Sequence, residues 1–271
     1  MKVVSFNVNG IRARFHQLEA LIEEQHPDVI GLQEIKVQDP DFPLETIQNM
    51  GYHVEYFGQK GHYGVALMSL KPPLEVIKGM PGDAEDAQRR LITGRYILDN
   101  GNEYTVINGY FPQGDSRDHE TKFPAKEKFY ADLLAWLKSD FAPTENLVVM
   151  GDINVAAEDK DIGIGADNAK RWLRTGKCSF LPEEREWLQK IWDWGLIDSF
   201  RQMNPDEDGL FSWFDYRSKG FDREPKRGLR IDSIMVTSVL SEKLVDTGIS
   251  YSIRGSEKPS DHCPVWAEID L

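Results

Sequence analysis

Apolar runs that stop abruptly on amides or carboxylates constrain this fold more than any other feature of the chain. Val3-Val4-Ser5-Phe6 leads into Asn7-Val8-Asn9, and Val29-Ile30-Gly31-Leu32 delivers Gln33-Glu34. Leu147 to Met150 delivers Gly151-Asp152-Ile153-Asn154, and Ser260-Asp261-His262 stands just before the apolar stretch Val265 to Ile269. Short runs of this kind are strand-sized. An isolated Asp-His pair reads as a surface turn, and a lone strand-end acid as a surface residue. Together, these strand ends point to one polar site assembled from distant segments.

The remaining periodicities fill in the architecture. Tyr63 to Ser69, Leu91 to Leu98, Tyr104 to Tyr110 and Ile231 to Thr237 read as further strands, with Asp99-Asn100-Gly101-Asn102 as a hairpin turn. Helical spacing runs from Phe15 to His26 through Leu18, Leu21 and Ile22, and Pro27-Asp28 stops it. Phe129, Leu133, Trp136 and Leu137 form a second stripe, and Pro182 suits the first turn of a helix whose apolar side is Trp187, Leu188 and Ile191. Many short strands, some in hairpins and others separated by helices, favour an α/β (α+β) protein. Its expected form is two packed, mostly antiparallel sheets with helices outside, rather than a doubly wound parallel sheet. Phe6-Asn7-Val8-Asn9 faintly echoes Gly151-Asp152-Ile153-Asn154, an echo that either chance or a pseudo-symmetric two-sheet core would produce. With no linker or break in composition, residues 1–271 are expected to form a single domain.

No apolar stretch approaches the roughly 20 residues that span a bilayer, and Met1-Lys2-Val3-Val4 begins a strand rather than a signal peptide. Cys178 and Cys263 are the only cysteines, without metal-ligand spacing, so a reducing cytoplasm is the expected compartment. A net charge of −13 argues against a nonspecific polyanion binder, but distribution matters more than the sum. Lys170-Arg171-Trp172-Leu173-Arg174-Thr175-Gly176-Lys177 holds basic residues and no acid. Arg217 to Arg230 carries Arg217, Lys219, Arg223, Lys226, Arg227 and Arg230 against Asp222 and Glu224. A charge run is usually a solvated face. Interleaved with Trp172, Trp213, Phe214, Tyr216 and Phe221, these two suit nucleic acid.

The polar strand ends permit specific chemistry. Glu34 could hold Mg²⁺, which needs only one or two protein carboxylates. Asp152 could orient or deprotonate water, and Gly151 before it would allow close approach of a ligand. Asn7 and Asn154 could hold phosphate or fix the carboxylates. Asp232 lies in the apolar context Leu229-Arg230-Ile231-Asp232-Ser233-Ile234, where an acid is costly unless paired. A metal-holding acid, a water-activating acid, an Asp-His pair and several amides suit phosphodiester hydrolysis. No Gly-x-Ser-x-Gly elbow, Walker motif or dinucleotide glycine signature is present.

The residues that carry this chemistry resemble the exonuclease III type of the endonuclease/exonuclease/phosphatase family. The resemblance runs through Ser5-Phe6-Asn7-Val8-Asn9-Gly10-Ile11-Arg12-Ala13-Arg14, Gly31-Leu32-Gln33-Glu34, Asn108-Gly109-Tyr110-Phe111-Pro112-Gln113-Gly114 and Met150-Gly151-Asp152-Ile153-Asn154. It continues in Ser212-Trp213-Phe214-Asp215-Tyr216-Arg217 and Ser260-Asp261-His262, with Lys170 to Trp187 as the segment most specific to that branch. It implies a four-layered α/β sandwich and a DNA-repair nuclease dependent on Mg²⁺ or Mn²⁺; the sequence itself points to no oligomer, so a monomer is expected. The implied activities on double-stranded DNA are cleavage 5′ to abasic sites, degradation from 3′ ends, and removal of 3′ phosphates. By motif match, Glu34 would ligate the metal with Asn7, with Asp261 at its edge and Asp152 and Asn154 close by. Asp152 would activate water, supported by Asn154, although His262 with Asp232 could serve as the base instead. His262 would otherwise contact the phosphate, and Tyr110 the phosphate or the leaving group. Arg89, Gln113, Lys170, Arg171, Arg174, Lys177 and Arg217 would contact DNA, while Trp213, Leu229 and Ile231 would line a pocket for a flipped-out abasic sugar. The alternatives are a phosphatase or phosphodiesterase acting on a small substrate such as a phosphoinositide or sphingolipid, and a DNA-binding scaffold without activity.

Overall fold

The first strand, β1 (Lys2–Asn7), has its parallel neighbour in β2 (Val29–Gln33), because α1 (Phe15–Gln25) carries the chain back between them. His26 ends that helix in the left-handed region at φ 47°, directly before Pro27. A short helix α2 (Leu44–Gln48) precedes β3 (His53–Phe57) and β4 (Val65–Ser69), which pair with each other antiparallel. The chain then builds a second sheet from β5 (Glu75–Lys78), β6 (Leu91–Ile97), β7 (Glu103–Tyr110) and, after α3 (Lys122–Asp140), β8 (Leu147–Asp152). Helices α4 (Ala166–Thr175) and α5 (Pro182–Trp194) follow, then β9 (Leu196–Asp198), α6 (Ser199–Met203), β10 (Asp232–Thr237) and α7 (Ser238–Ser241). Finally β11 (Leu244–Ile249), α8 (Tyr251–Arg254) and β12 (Val265–Ile269) return to the first sheet. This is a computed structural model, and it describes residues 1–271.

Both sheets have six strands, ordered β11-β12-β1-β2-β4-β3 and β5-β6-β7-β8-β10-β9. Each has one parallel pair at its centre, β1 with β2 and β7 with β8, and antiparallel pairs on either side. The expectation of mostly antiparallel sheets holds. Of the two origins open to the internal echo, the sheet order disfavours pseudo-symmetry. The echo joins β1 with β8, whereas chain order and sheet position make β1 the counterpart of β7. Two strand ends that meet at one site therefore resemble each other in sequence without being repeats.

Three apolar layers hold the sandwich together. Leu18, Leu21 and Ile47 pack with Val4, Phe6, Ile30 and Leu32 on the outer face of the first sheet. Phe129, Leu133, Trp136, Leu137, Trp187, Leu188 and Ile191 cover the second sheet through Ile107, Leu147 and Val149, so both helical stripes expected there face this layer. Between the sheets lie Val3, Val29, Leu67, Val106, Val148, Met150, Ile234 and Val236. Side chains alternate along a strand. The face that carries Val3 therefore carries Ser5 and Asn7; Val29's carries Gln33; Val106's carries Asn108 and Tyr110; Met150's carries Asp152; and Ile234's carries Asp232. Period-two arithmetic alone puts these polar groups in the layer between the sheets. Asn108 spans that layer, its amide donating to the carbonyls of Leu32 at 3.0 Å and Ala66 at 2.9 Å and accepting from Gln33 at 2.6 Å. Gly31 leaves it room, since a Cβ there would lie 2.6 Å from Asn108 Oδ1.

Several boundaries and elements differ from expectation. The strand expected from Tyr63 begins at Val65, because Tyr63 (φ 56°) and Gly64 (φ 83°) are left-handed. The strand expected from Ile231 begins at Asp232. The basic run Lys170–Lys177 is largely helix α4, whose apolar residues Ala166, Ala169, Trp172 and Leu173 fall at helical spacing without being fully buried, Ala169 and Trp172 packing against the cluster of Ala156, Phe180, Leu229 and Ile231. Both cysteines are buried and free. No helix is long and apolar enough to cross a membrane.

Candidate active site

Asn7, Tyr110 and Asp152 end β1, β7 and β8, Glu34 follows β2, and Asp232 begins β10, so the C-terminal ends of both parallel pairs open on one cluster. Asp152 and Asp232 stand directly opposite each other in the antiparallel ladder of β8 and β10, a repulsive arrangement for two acids. His262 relieves it. Its Nδ1 lies 2.8 Å and 3.0 Å from the two carboxylate oxygens of Asp232, and its Nε2 lies 3.7 Å from Asp152 Oδ2. Asp232, thirty positions upstream, thus partners the imidazole, while the neighbouring Asp261 faces elsewhere.

Small groups fix this cluster from outside. The Ser212 hydroxyl accepts from the backbone N–H of Ile231 and of Asp232, each at 3.0 Å. Ser260 donates to the Asn7 carbonyl at 2.6 Å and accepts from the His262 N–H at 3.2 Å, tying the loop before β12 to the end of β1. Asp152 accepts from the Asn7 side-chain amide at 2.9 Å and from the Asn154 N–H at 3.1 Å. Gly151 serves packing rather than ligand approach. At φ 150° it lies against β7, and a Cβ would fall 1.8 Å from the Gly109 carbonyl.

Burial drives the electrostatics. It raises the Asp152 carboxyl, His262 pulls the other way, and the Asp232 charge adds to the rise. For His262, burial works against the charged form, but the Asp232 and Asp152 carboxylates outweigh it and the imidazole moves up. Tyr110 is raised well above a free phenol by burial and then by the charges of Glu34 and Asp152, so it stays a hydroxyl donor. Glu34 goes the other way. Burial would raise it, but the Lys36 ammonium 2.9 Å from Oε2 brings it down and keeps it ionised.

Lys36 also donates to Asn9 Oδ1, so a cation already sits between Glu34 and Asn9. Glu34 Oε1 further accepts from Asn7 at 3.2 Å, which links it to Asp152 through one shared amide. This oxygen-rich, ionised edge fits a hard divalent cation. Asp152, Asp232 and His262 bring their ligand atoms within 4.8 Å of one another, but the His262 Nδ1 is taken up by Asp232 and the two carboxylates favour its protonated form, which offers no lone pair to a metal. Both Asp261 oxygens are engaged, by Asn9 Nδ2 at 2.8 Å and Trp213 Nε1 at 3.1 Å, which puts Asp261 at the rim beside Asn9.

The expected DNA contacts divide into groups. Arg89 is already committed, to Asp39 at 2.7 Å and to the Gly58 carbonyl at 2.6 Å. Its neighbour Arg90, which sequence reasoning passed over, is the arginine at the site. Its guanidinium lies 4.2 Å from the Tyr63 ring centroid and 4.8 Å from that of Tyr110. Gln113 is exposed and accepts from the Asp115 N–H at 2.7 Å. Lys170, Arg171 and Arg174 are exposed on α4, and Lys177 just beyond it lies 4.0 Å over the Trp172 ring. Arg171, Lys177 and Arg217 join Arg223 and Arg227 around a recess of about 390 Å³ that reaches Trp213, and none of these five is ion-paired. Leu229 has no exposed surface and packs with Ala156, Phe180 and Ile231 under the partly exposed Trp213, so it supports that wall rather than lining it. Lys36 and Arg90 had no distinguishing pattern in the sequence, and Ser212 and Ser260 lay inside marked motifs without a role of their own.

The sandwich of two sheets, with strand ends closing on a buried carboxylate–imidazole–carboxylate cluster, has the mixed α/β architecture and acid–base groups that a hydrolase needs. Residues 4–262 match the model of the endonuclease/exonuclease/phosphatase family. The exodeoxyribonuclease III of Haemophilus influenzae is 60% identical over 268 residues, covering 99% of each chain. Among solved structures, a 3′ phosphatase from Neisseria bound to a product DNA hairpin superposes with a TM-score of 0.89 at 35% identity, covering 100% of both chains. An AP endonuclease from Archaeoglobus fulgidus gives the same TM-score of 0.89, identity of 35% and coverage of 100% of both chains. The chain belongs to the endonuclease/exonuclease/phosphatase family.

Proposed function

We propose that this protein is a DNA-repair nuclease that hydrolyses phosphodiesters of duplex DNA, acting from 3′ ends, 5′ to abasic sites and on 3′ phosphates. It works as a single domain and a monomer without an obligate protein partner. The observation that carries this reading is the geometry of Asp152, held by Asn7 and Asn154 and 3.7 Å from His262 Nε2. The names of the Haemophilus, Neisseria and Archaeoglobus relatives support the choice of DNA as substrate. So does the unpaired basic recess beside Trp213 in a chain of net charge −13.

The upward push on His262 favours an imidazolium that donates from Nε2 to a phosphate oxygen, with Asp232 holding its other face. That leaves Asp152 as the proton acceptor. Burial makes its carboxylate more basic than an ordinary one, as a general base near neutral pH requires. In the reaction, water attacks phosphorus, its proton passes to Asp152, and the bond to the 3′ oxygen breaks. Tyr110, kept protonated, donates to the phosphate or the departing oxygen. Glu34 and Asn7 would hold Mg²⁺ or Mn²⁺, with Asp261, Asp152 and Asn154 nearby, and the ion would neutralise phosphate charge. Lys177, Arg171 and Arg217 hold the strand through its phosphates, and Trp213 abuts the sugar at the reacting position.

The test is an abasic duplex and an undamaged duplex with a 3′ end, each incubated with Mg²⁺ and with EDTA. Cleavage of both with Mg²⁺ and of neither with EDTA is expected. Protein that left abasic DNA intact but released phosphate from a lipid head group would overturn the reading.

A further inference from the structure

Lys126, on α3, is the only buried lysine of the chain, with no exposed surface at all. Its ammonium pairs with Glu184 Oε1 on α5 at 2.5 Å, donates to the Asn154 carbonyl at 2.8 Å and reaches the Gln113 carbonyl at 3.4 Å. Glu184 Oε2 accepts from the N–H groups of Ser179 and Leu181, both at 2.8 Å. An ion pair withdrawn this far from water recovers little net stability after desolvation, and neither member touches the cluster around His262. The contact with Asn154 is what connects the pair to that cluster.

Asn154 is left-handed at φ 54°, a conformation an asparagine adopts only at some cost. Its N–H is one of the two donors on Asp152, at 3.1 Å, and its side-chain amide donates to the Phe111 carbonyl at 2.9 Å. Its carbonyl takes the charge-assisted bond from Lys126, the strongest type available to a neutral acceptor. The same ammonium grips the loop after β7 at Gln113 and, through Glu184, the segment Ser179–Leu181 that follows Lys177. One buried charge thus braces, together with the Ile231 carbonyl that accepts from the Asn154 N–H at 3.2 Å, the backbone on which Asp152 depends.

We propose that Lys126, with Glu184 as its counter-ion, is a positioning residue that holds Asn154 in its left-handed turn and thereby aims the Asp152 carboxylate. This rests on the reading of Asp152 as the proton acceptor. The variant that tests it is the pair Lys126→Met with Glu184→Gln. It removes both charges together and leaves a glutamine oxygen to accept from Ser179 and Leu181. The expected result is a urea midpoint close to the wild type, unchanged KM and unchanged DNA affinity in EDTA, with kcat lower by on the order of 10- to 100-fold. A folded double variant with wild-type kcat overturns the proposal, as does one whose loss lies wholly in KM or DNA affinity. Lys126→Gln with Glu184→Gln is the second variant. If neither pair folds, the two residues serve the fold alone and the proposal is likewise overturned. Asp152→Asn is assayed in parallel. Should that variant cleave at the wild-type rate, the reading of Asp152 is what fails; should it be inactive while the double variant is unimpaired, only the role of Lys126 is lost.

Discussion

At the scale of single residues, the site is a set of acids whose neighbours push them in opposite directions. Asp152 is raised by burial, and Glu34 is brought down by Lys36 despite it. A base and a cation-holding group can therefore coexist, joined through the shared amide of Asn7. Asp152→Asn keeps the size of the side chain and its bond from the Asn154 N–H but cannot accept a proton. Its kcat is expected to fall by roughly 10²- to 10⁴-fold while the DNA dissociation constant measured in EDTA stays near the wild-type value. A variant that still cleaved at the wild-type rate would remove Asp152 from the mechanism. Asp232 was legible in the chain itself, because an acid in an apolar strand demands a partner, and it has one 2.8 Å away. Lys36, Arg90 and Lys126 were not legible. Each owes its place to a loop or helix face that only the tertiary fold brings to the strand ends, and no local pattern separates them from surface cations.

At the scale of elements, the strands were legible where both faces are buried or alternate cleanly, as β2, β7 and β8 do. Edge strand β5 is mostly exposed and β11 carries a register shift near Asp246, so neither advertises itself in sequence. Helix α4 escaped because its apolar stripe is only four residues long, none of them fully buried, and its charged side is exposed. That exposure suits its proposed task. Lys170, Arg171 and Arg174 project from a helix with no buried side chain, beside a recess of unpaired cations. Each phosphate neutralised contributes about 0.9 to the slope of log affinity against log salt. Replacing the three with glutamine should flatten that slope by up to about 2.7, with little effect on kcat at saturating DNA. An unchanged slope would mean that α4 is only a solvated face. The pin between the sheets makes a separate prediction. Asn108→Ala takes one of three acceptors from Gln33 and the amide donor from two carbonyls in a dry layer, and a buried group left unsatisfied costs about 1–3 kcal/mol. The urea midpoint should drop measurably, and a midpoint equal to the wild type would show that the pin adds no stability.

For the molecule as a whole, the layer between the sheets is apolar through most of its extent and crowded with acids at one end, so the protein sacrifices stability where it does chemistry. Asp152 and Asp232 oppose each other in register, and the imidazole between them is the main compensation. This arrangement fixes the sign of a pH effect. An unfolded histidine titrates near 6.5, and in the folded protein His262 is pushed up to about 10 by Asp232 and Asp152, which overcome the burial that opposes them. The folded state thus binds this proton more tightly. The stability it contributes is fully present below pH of about 6.5 and is lost as the pH rises through the folded value. Asp152, also raised, acts in the same sense. In EDTA, the wild-type urea midpoint is therefore expected to fall from pH 6.5 toward pH 10. His262→Gln, which has no proton to lose, should fall less, so that the two curves converge on the alkaline side. Curves that stayed parallel throughout would mean that His262 is not held as a cation between the two carboxylates. Curves that diverged with rising pH would mean that burial, rather than Asp232, governs the imidazole.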